Sequence, residues 1–133
     1  MSPRTVTCSR AMRDGRMRKA EQFLEWAENL RALVEAEDDY VDAYVTMCVH
    51  AGIAAADVIC CARLAEMSKS TQHEDAVALL KKVDPVHSNR LKTLLSLKSK
   101  AGYDHESVSA TDAERARRAA EALLESARIA AAA

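Results

Sequence analysis

Apolar side chains return every three or four residues along most of this chain, the period of a helix with one face turned to a core. From about Arg16 to Glu37 the recurring positions are Ala20, Phe23, Leu24, Ala27, Leu30 and Val34, with Glu21, Glu25, Glu28 and Arg31 opposite them. This predicts an amphipathic first helix, with Trp26 beside the stripe as a boundary or partner-contact residue. The second segment, about Asp39 to Glu66, is apolar on nearly every side. Tyr40, Tyr44, Met47, Cys48, Ala51, Ala54, Ala55, Val58 and Leu64 make one broad face, and Val41, Val45, Val49, Ile53 and Ile59 cover much of the rest. A helix of this kind is covered by neighbours on most sides, and its alanines and Gly52 let those neighbours come close.

Local capping chemistry divides the second half. Thr71-Gln72-His73-Glu74 has the form of a capping box and predicts a short third helix that turns Ala76, Leu79, Leu80 and Val83 inward. Asp84-Pro85 supplies an N-cap and a first-turn proline for a fourth helix running to about Lys100, with Leu91, Leu94, Leu95 and Lys98 along one side. After a loop from Gly102 to Val108, Ser109 caps a fifth helix that reaches about Ala131 and buries Ala113, Ala116, Ala120, Leu123, Leu124 and Ala127. With three glycines and two prolines in 133 residues, and no segment reading as strand, the expectation is all-α: an up-and-down bundle of four to five helices forming one domain over 16–133.

Charge changes the picture at one end only. The net charge is −1, which gives no global field toward nucleic acid. The first twenty residues nevertheless hold Arg4, Arg10, Arg13, Arg16, Arg18 and Lys19 against Asp14, so residues 1–15 read as a basic, disordered leader. No stretch reads as a secretion signal or as a membrane span, which makes a soluble, cytoplasmic protein the expectation. Cys8, Cys48, Cys60 and Cys61 lack metal-ligand or redox spacing and read as free thiols in a reducing compartment. Neither a metal nor a cofactor is expected.

Two constellations carry chemistry. His50 and Asp57 lie seven residues apart on one face of the second helix, where an acid in apolar surroundings requires a partner, for which a lysine of the fourth helix is the candidate. The pair reads as a polar pin fixing helix register. The other constellation is Lys98, Lys100, Tyr103, Asp104 and His105 around Gly102, where cations, a phenol, a carboxylate and an imidazole could meet phosphate or a nucleobase. His73 and His87 read as isolated helix-start residues.

The order of these features resembles the HEPN superfamily, the higher-eukaryote and prokaryote nucleotide-binding helical domains, and in particular its small stand-alone bacterial members. The resemblance rests on His50-Ala51-Gly52-Ile53-Ala54-Ala55-Ala56-Asp57, on His73-Glu74-Asp75-Ala76-Val77-Ala78-Leu79-Leu80, on Leu94 through Asp104, and on Val108-Ser109 before a basic last helix, and it spans about residues 17–129. It implies a homodimeric helical bundle linked to RNA cleavage, toxin-antitoxin pairs or defence. Active members carry arginine, four to six residues, then histidine, in a metal-independent ribonuclease site shared between two chains. Here Lys98 and Lys100 precede His105 at those spacings, but lysine lacks the two-pronged donor that arginine offers phosphate. The leading expectation is therefore a dimeric module binding RNA, nucleotide or a cognate partner protein through Lys98, Lys100, Tyr103 and Asp104. The alternatives are a ribonuclease in which His105 moves the proton while Lys98 or Lys100 stabilises the phosphorane, and a purely structural interaction bundle.

Overall fold

The five amphipathic segments fold as α1 (Arg10–Leu33), α2 (Val41–Leu64), α3 (His73–Lys81), α4 (Pro85–Gly102) and α5 (Ala110–Ala132), with two short strands, β1 (Thr5–Thr7) and β2 (Glu66–Ser68). The structure, a computed structural model, describes residues 4–69 and 73–133. The expected all-α bundle is what forms, with α2 as its axis. α1, α4 and α5 all pack on α2, α3 lies mainly against α4, and α1 also meets α5. Thirteen residues of α2 are buried, so it presents core on most of its circumference, as its continuous apolarity requires. Gly52 is where this close packing is tightest, since a Cβ there would collide with Leu94 Cδ1 and crowd Leu123 Cδ1.

The helix boundaries follow from caps. Asp84 accepts the His87 backbone N–H at 3.1 Å and Ser109 accepts that of Asp112 at 3.0 Å, so α4 and α5 begin where expected. Asp84 also accepts a 3.3 Å hydrogen bond from Ser126 Oγ, which ties the start of α4 to α5. Another polar tie crosses the bundle where Asp42 Oδ1 accepts the Val108 N–H at 2.9 Å, fixing the loop before α5 to the start of α2. α1 ends at Leu33, before the expected Glu37, because Val34 turns extended and the acidic run forms a turn in which Asp38 accepts the Glu35 N–H at 2.7 Å. The capping box expected at Thr71 lies outside the described residues.

Several expectations are corrected. Residues 5–15 are built into the fold and do not form a leader: Ser9 caps α1 by accepting the Met12 N–H at 3.2 Å, so the helix starts six residues before Arg16. Before it, β1 pairs antiparallel with β2 in the register Thr5 to Ser68, Val6 to Met67 and Thr7 to Glu66. Three consecutive β-branched residues, Thr5-Val6-Thr7, favour that strand. The turn into β2 is made by Ala65 in the left-handed region, φ 57°. The four thiols are not all free: Cys8 and Cys61, 53 residues apart, form a disulfide, while Cys48 and Cys60 remain free and buried. Finally, α2 is long and apolar enough to cross a membrane by length and composition, with mean hydropathy 1.8. Most of that stretch is buried inside the bundle, as in the core helix of a soluble protein.

Candidate functional site

Four elements converge on one polar cluster. Lys98 occupies the side of α4 that carries Leu91 and Leu94, so its side chain leaves the core stripe toward α3 and meets His73, the first residue of that helix. Lys98 Nζ lies 2.6 Å from His73 Nε2. Because the ammonium can only donate, Nε2 is the acceptor and the ring proton belongs on Nδ1. From α2 comes His50, whose imidazole stacks on Phe23 of α1 with centroids 5.3 Å apart and planes 28° from parallel. Two turns further along the same face of α2, Asp57 receives Arg16 Nε of α1 at 2.8 Å, and both side chains are partly buried.

The electrostatics of these groups are coupled. Burial, then the Lys98 charge, then that of Arg16 lower the pKa of His50 below its usual 6.5. His73 is lowered from the same value by burial, by Lys98 and by His50. Both imidazoles are therefore neutral at neutral pH, each a proton acceptor held beside a fixed cation. Asp57 is pushed above the usual carboxylate range by burial, while the charge and hydrogen bond of Arg16 pull it back. Asp57 is thus already engaged by Arg16, and Lys98 has no carboxylate ion-pair partner among the described residues. Such a site can receive an anion, and its imidazoles can exchange protons.

The expected loop constellation does not assemble. Lys98 turns away to His73, whereas Tyr103 caps α4 with 81% of its surface exposed. The His105 side chain is 89% exposed, with Nδ1 3.1 Å from Asp104 and Nε2 3.8 Å from Glu106. Lys100 sits near the end of α4, half-buried, and Asp104 instead faces His105. The partner expected for Asp57, a lysine of the fourth helix, is replaced by Arg16 of α1. His50 and Asp57 do share the α2 face as expected, and each carries a cross-helix contact to α1.

His73 is the candidate-site residue that sequence reasoning passed over, and a signal for it existed. It precedes Ala76 by three residues, on the inward side of α3, as Lys98 follows Leu94 by four on α4. His87, by contrast, is local: its Nδ1 lies 2.6 Å from Asp84 at the α4 cap. The free cysteines offer no nucleophile, because burial pushes the Cys48 and Cys60 thiols up to about 12. Among the described residues no three His, Cys, Asp or Glu side chains are grouped to hold a metal ion. Compared with known proteins, the chain matches no family model and no curated protein.

Proposed function

We propose that this chain is an HEPN-like helical module that binds RNA or a nucleotide through phosphate, with Lys98, His73, His50 and Arg16 as the contact group. The observation that carries this reading is the 2.6 Å approach of Lys98 to a neutral His73, with no acid ion-paired to the ammonium among the described residues. In this reading a phosphate oxygen supplies the missing negative charge to the remaining donors on Lys98. The resemblance of the α2 and α4 sequences to HEPN domains supports the choice of RNA over other phosphate carriers. The contact group differs from the loop read from the sequence, since Tyr103, Asp104 and His105 stand apart in solvent and Lys100, half-buried, does not join them.

The test is fluorescence anisotropy with a labelled single-stranded RNA oligonucleotide at two salt concentrations. Lys98→Ala and His73→Ala are expected to weaken binding about tenfold, the scale of one charge-assisted contact, and to flatten its salt dependence. A Lys100→Ala/His105→Ala variant is expected to bind like the wild type. Unchanged affinity in the Lys98 and His73 variants would refute the reading.

A second reading, metal-independent endoribonuclease, is favoured by one specific observation: two imidazoles kept neutral beside an ammonium are equipped for general acid–base work. In this reading the His50 imidazole takes the 2′-hydroxyl proton as the 2′-oxygen bonds to phosphorus and the P–O5′ bond breaks, while the Lys98 ammonium offsets the charge on phosphate and gives a proton to the leaving 5′-oxygen. Cleavage that resists chelator and disappears in His50→Ala or His73→Ala would establish it. The loop residue His105, exposed and flanked by acids, is not the base in this scheme.

A further inference from the structure

The disulfide between Cys8 and Cys61 joins the residue before the α1 cap to the last turn of α2, and it is not sealed from solvent. Each cysteine keeps 7% of its surface exposed. Both line an open concavity of about 400 Å³ together with Arg10, Arg13, Ala62 and the last residues of α5. Its charge is one-sided. No acidic side chain lines it, Arg13 pairs with the exposed Asp14 at 3.4 Å, and Arg10 has no ion pair among the described residues. The Ala133 carboxylate reaches the rim without an ion pair to either arginine among the described residues. Sulfur that meets solvent beside fixed cations is reactive, whereas a thiol closed inside a core is inert. Cys48 and Cys60, free and buried in the bundle, supply that contrast within the same chain.

Opening the bond leaves its surroundings held by other contacts. The Cys8 N–H donates to the Ala65 carbonyl at 2.9 Å, β1 stays paired with β2, and α1 packs on α2 further along, where Ala20, Leu24 and Ala27 are buried. An acceptor for a released thiol is in place as well, since the Ser9 carbonyl oxygen lies 3.5 Å from Cys8 Sγ and 3.6 Å from Cys61 Sγ. The two sulfurs are not equivalent. Cys61 sits at the C-terminal, negative end of α2, whereas Cys8 precedes the N-terminus of α1 and is two residues from Arg10. A departing negative charge is therefore better carried by Cys8, which makes Cys61 the sulfur that is attacked.

We propose that this concavity is a thiol–disulfide exchange site for small thiols that carry carboxylates, which Arg10 and Arg13 draw to the bond between Cys8 and Cys61. The incoming thiolate bonds to Cys61 Sγ as the protein's S–S bond breaks and its electron pair leaves on Cys8. A second thiolate then attacks the sulfur of the bound thiol, and Cys61 leaves with the electron pair. Two small thiols are oxidised to their disulfide, the protein's disulfide is reduced, and the two protons shed by the thiols end on the cysteines. The inference does not rest on the phosphate site, and its test uses no RNA. Reduction of the full chain by mercaptosuccinate, read by alkylation and mass spectrometry, is expected to quicken with thiol concentration and to leave the circular dichroism spectrum unchanged. Arg10→Gln/Arg13→Gln is expected to slow mercaptosuccinate about tenfold and the uncharged 2-mercaptoethanol about twofold, the scale of two screened charge pairs. In Cys8→Ser, the oxidised form of mercaptosuccinate is expected to add to Cys61 and to leave Cys48 and Cys60 unmodified. Equal effects of the arginine substitutions on the two thiols would overturn the proposal. So would a rate independent of thiol concentration, or a loss of helix on reduction, because the bond would then be reached only as the bundle opens. Adducts on Cys48 or Cys60 in Cys8→Ser, or none on Cys61, would overturn it as well.

Discussion

Asp57 shows how much of this molecule turns on single polar side chains in apolar places. Its carboxyl is raised by burial and returned toward ionisation only by Arg16, 2.8 Å away, so the two stand or fall together. Arg16→Met is expected to destabilise the fold by about 1–3 kcal/mol in urea unfolding, because it strands a buried acid. Adding Asp57→Asn should then recover part of the loss; strictly additive effects would show that the pair is not coupled. The need for a partner could be read from an acid in an apolar helix, but the partner's identity could not. Arg16 is one cation among several in a polar, arginine-rich segment whose helical pattern has no apolar stripe to mark its start. Lys98 and His73 were legible in the same partial sense: each falls on the inward side of its helix, while their 2.6 Å meeting depends on how α3 lies against α4.

Helices with local signals were readable almost to the residue, and those without were not. Asp84-Pro85 and Ser109 fixed the starts of α4 and α5 because cap chemistry needs only three or four neighbouring residues. β1 and β2, three residues each, are too short for alternation to register, and their pairing joins segments about sixty residues apart. α2 was legible as a covered helix, and Gly52 as a point of close approach. Its role is sharper in three dimensions, where it admits Leu94 and Leu123. Gly52→Ala gains about 1 kcal/mol of helix propensity but overpacks a fully buried contact, a cost of about 1–3 kcal/mol. The expected outcome is a net loss of stability, seen as a lower urea midpoint with unchanged slope. A stabilised variant would mean that Leu94 can move aside freely.

The bundle as a whole should respond to acid through its two site histidines. Both have folded pKa values below the 6.5 of the unfolded chain, so between that value and their lowered pKa values the unfolded state binds protons that the native state refuses. Stability is therefore full above about pH 6.5 and falls as pH drops through the window beneath it. Thermal unfolding from pH 7.5 to 5.5 should show this decline, reduced in a His50→Gln/His73→Gln variant; an equal decline in both would assign the effect to other groups. The proposed RNA binding carries the opposite expectation, an affinity that rises as the imidazoles gain charge. The disulfide between Cys8 and Cys61 has a different global consequence. It encloses α1, the acidic turn and nearly all of α2 in one covalent ring, so a protease nick between Glu35 and Asp39 would open the ring and release no fragment. The two pieces would leave each other only when a thiol reductant is present.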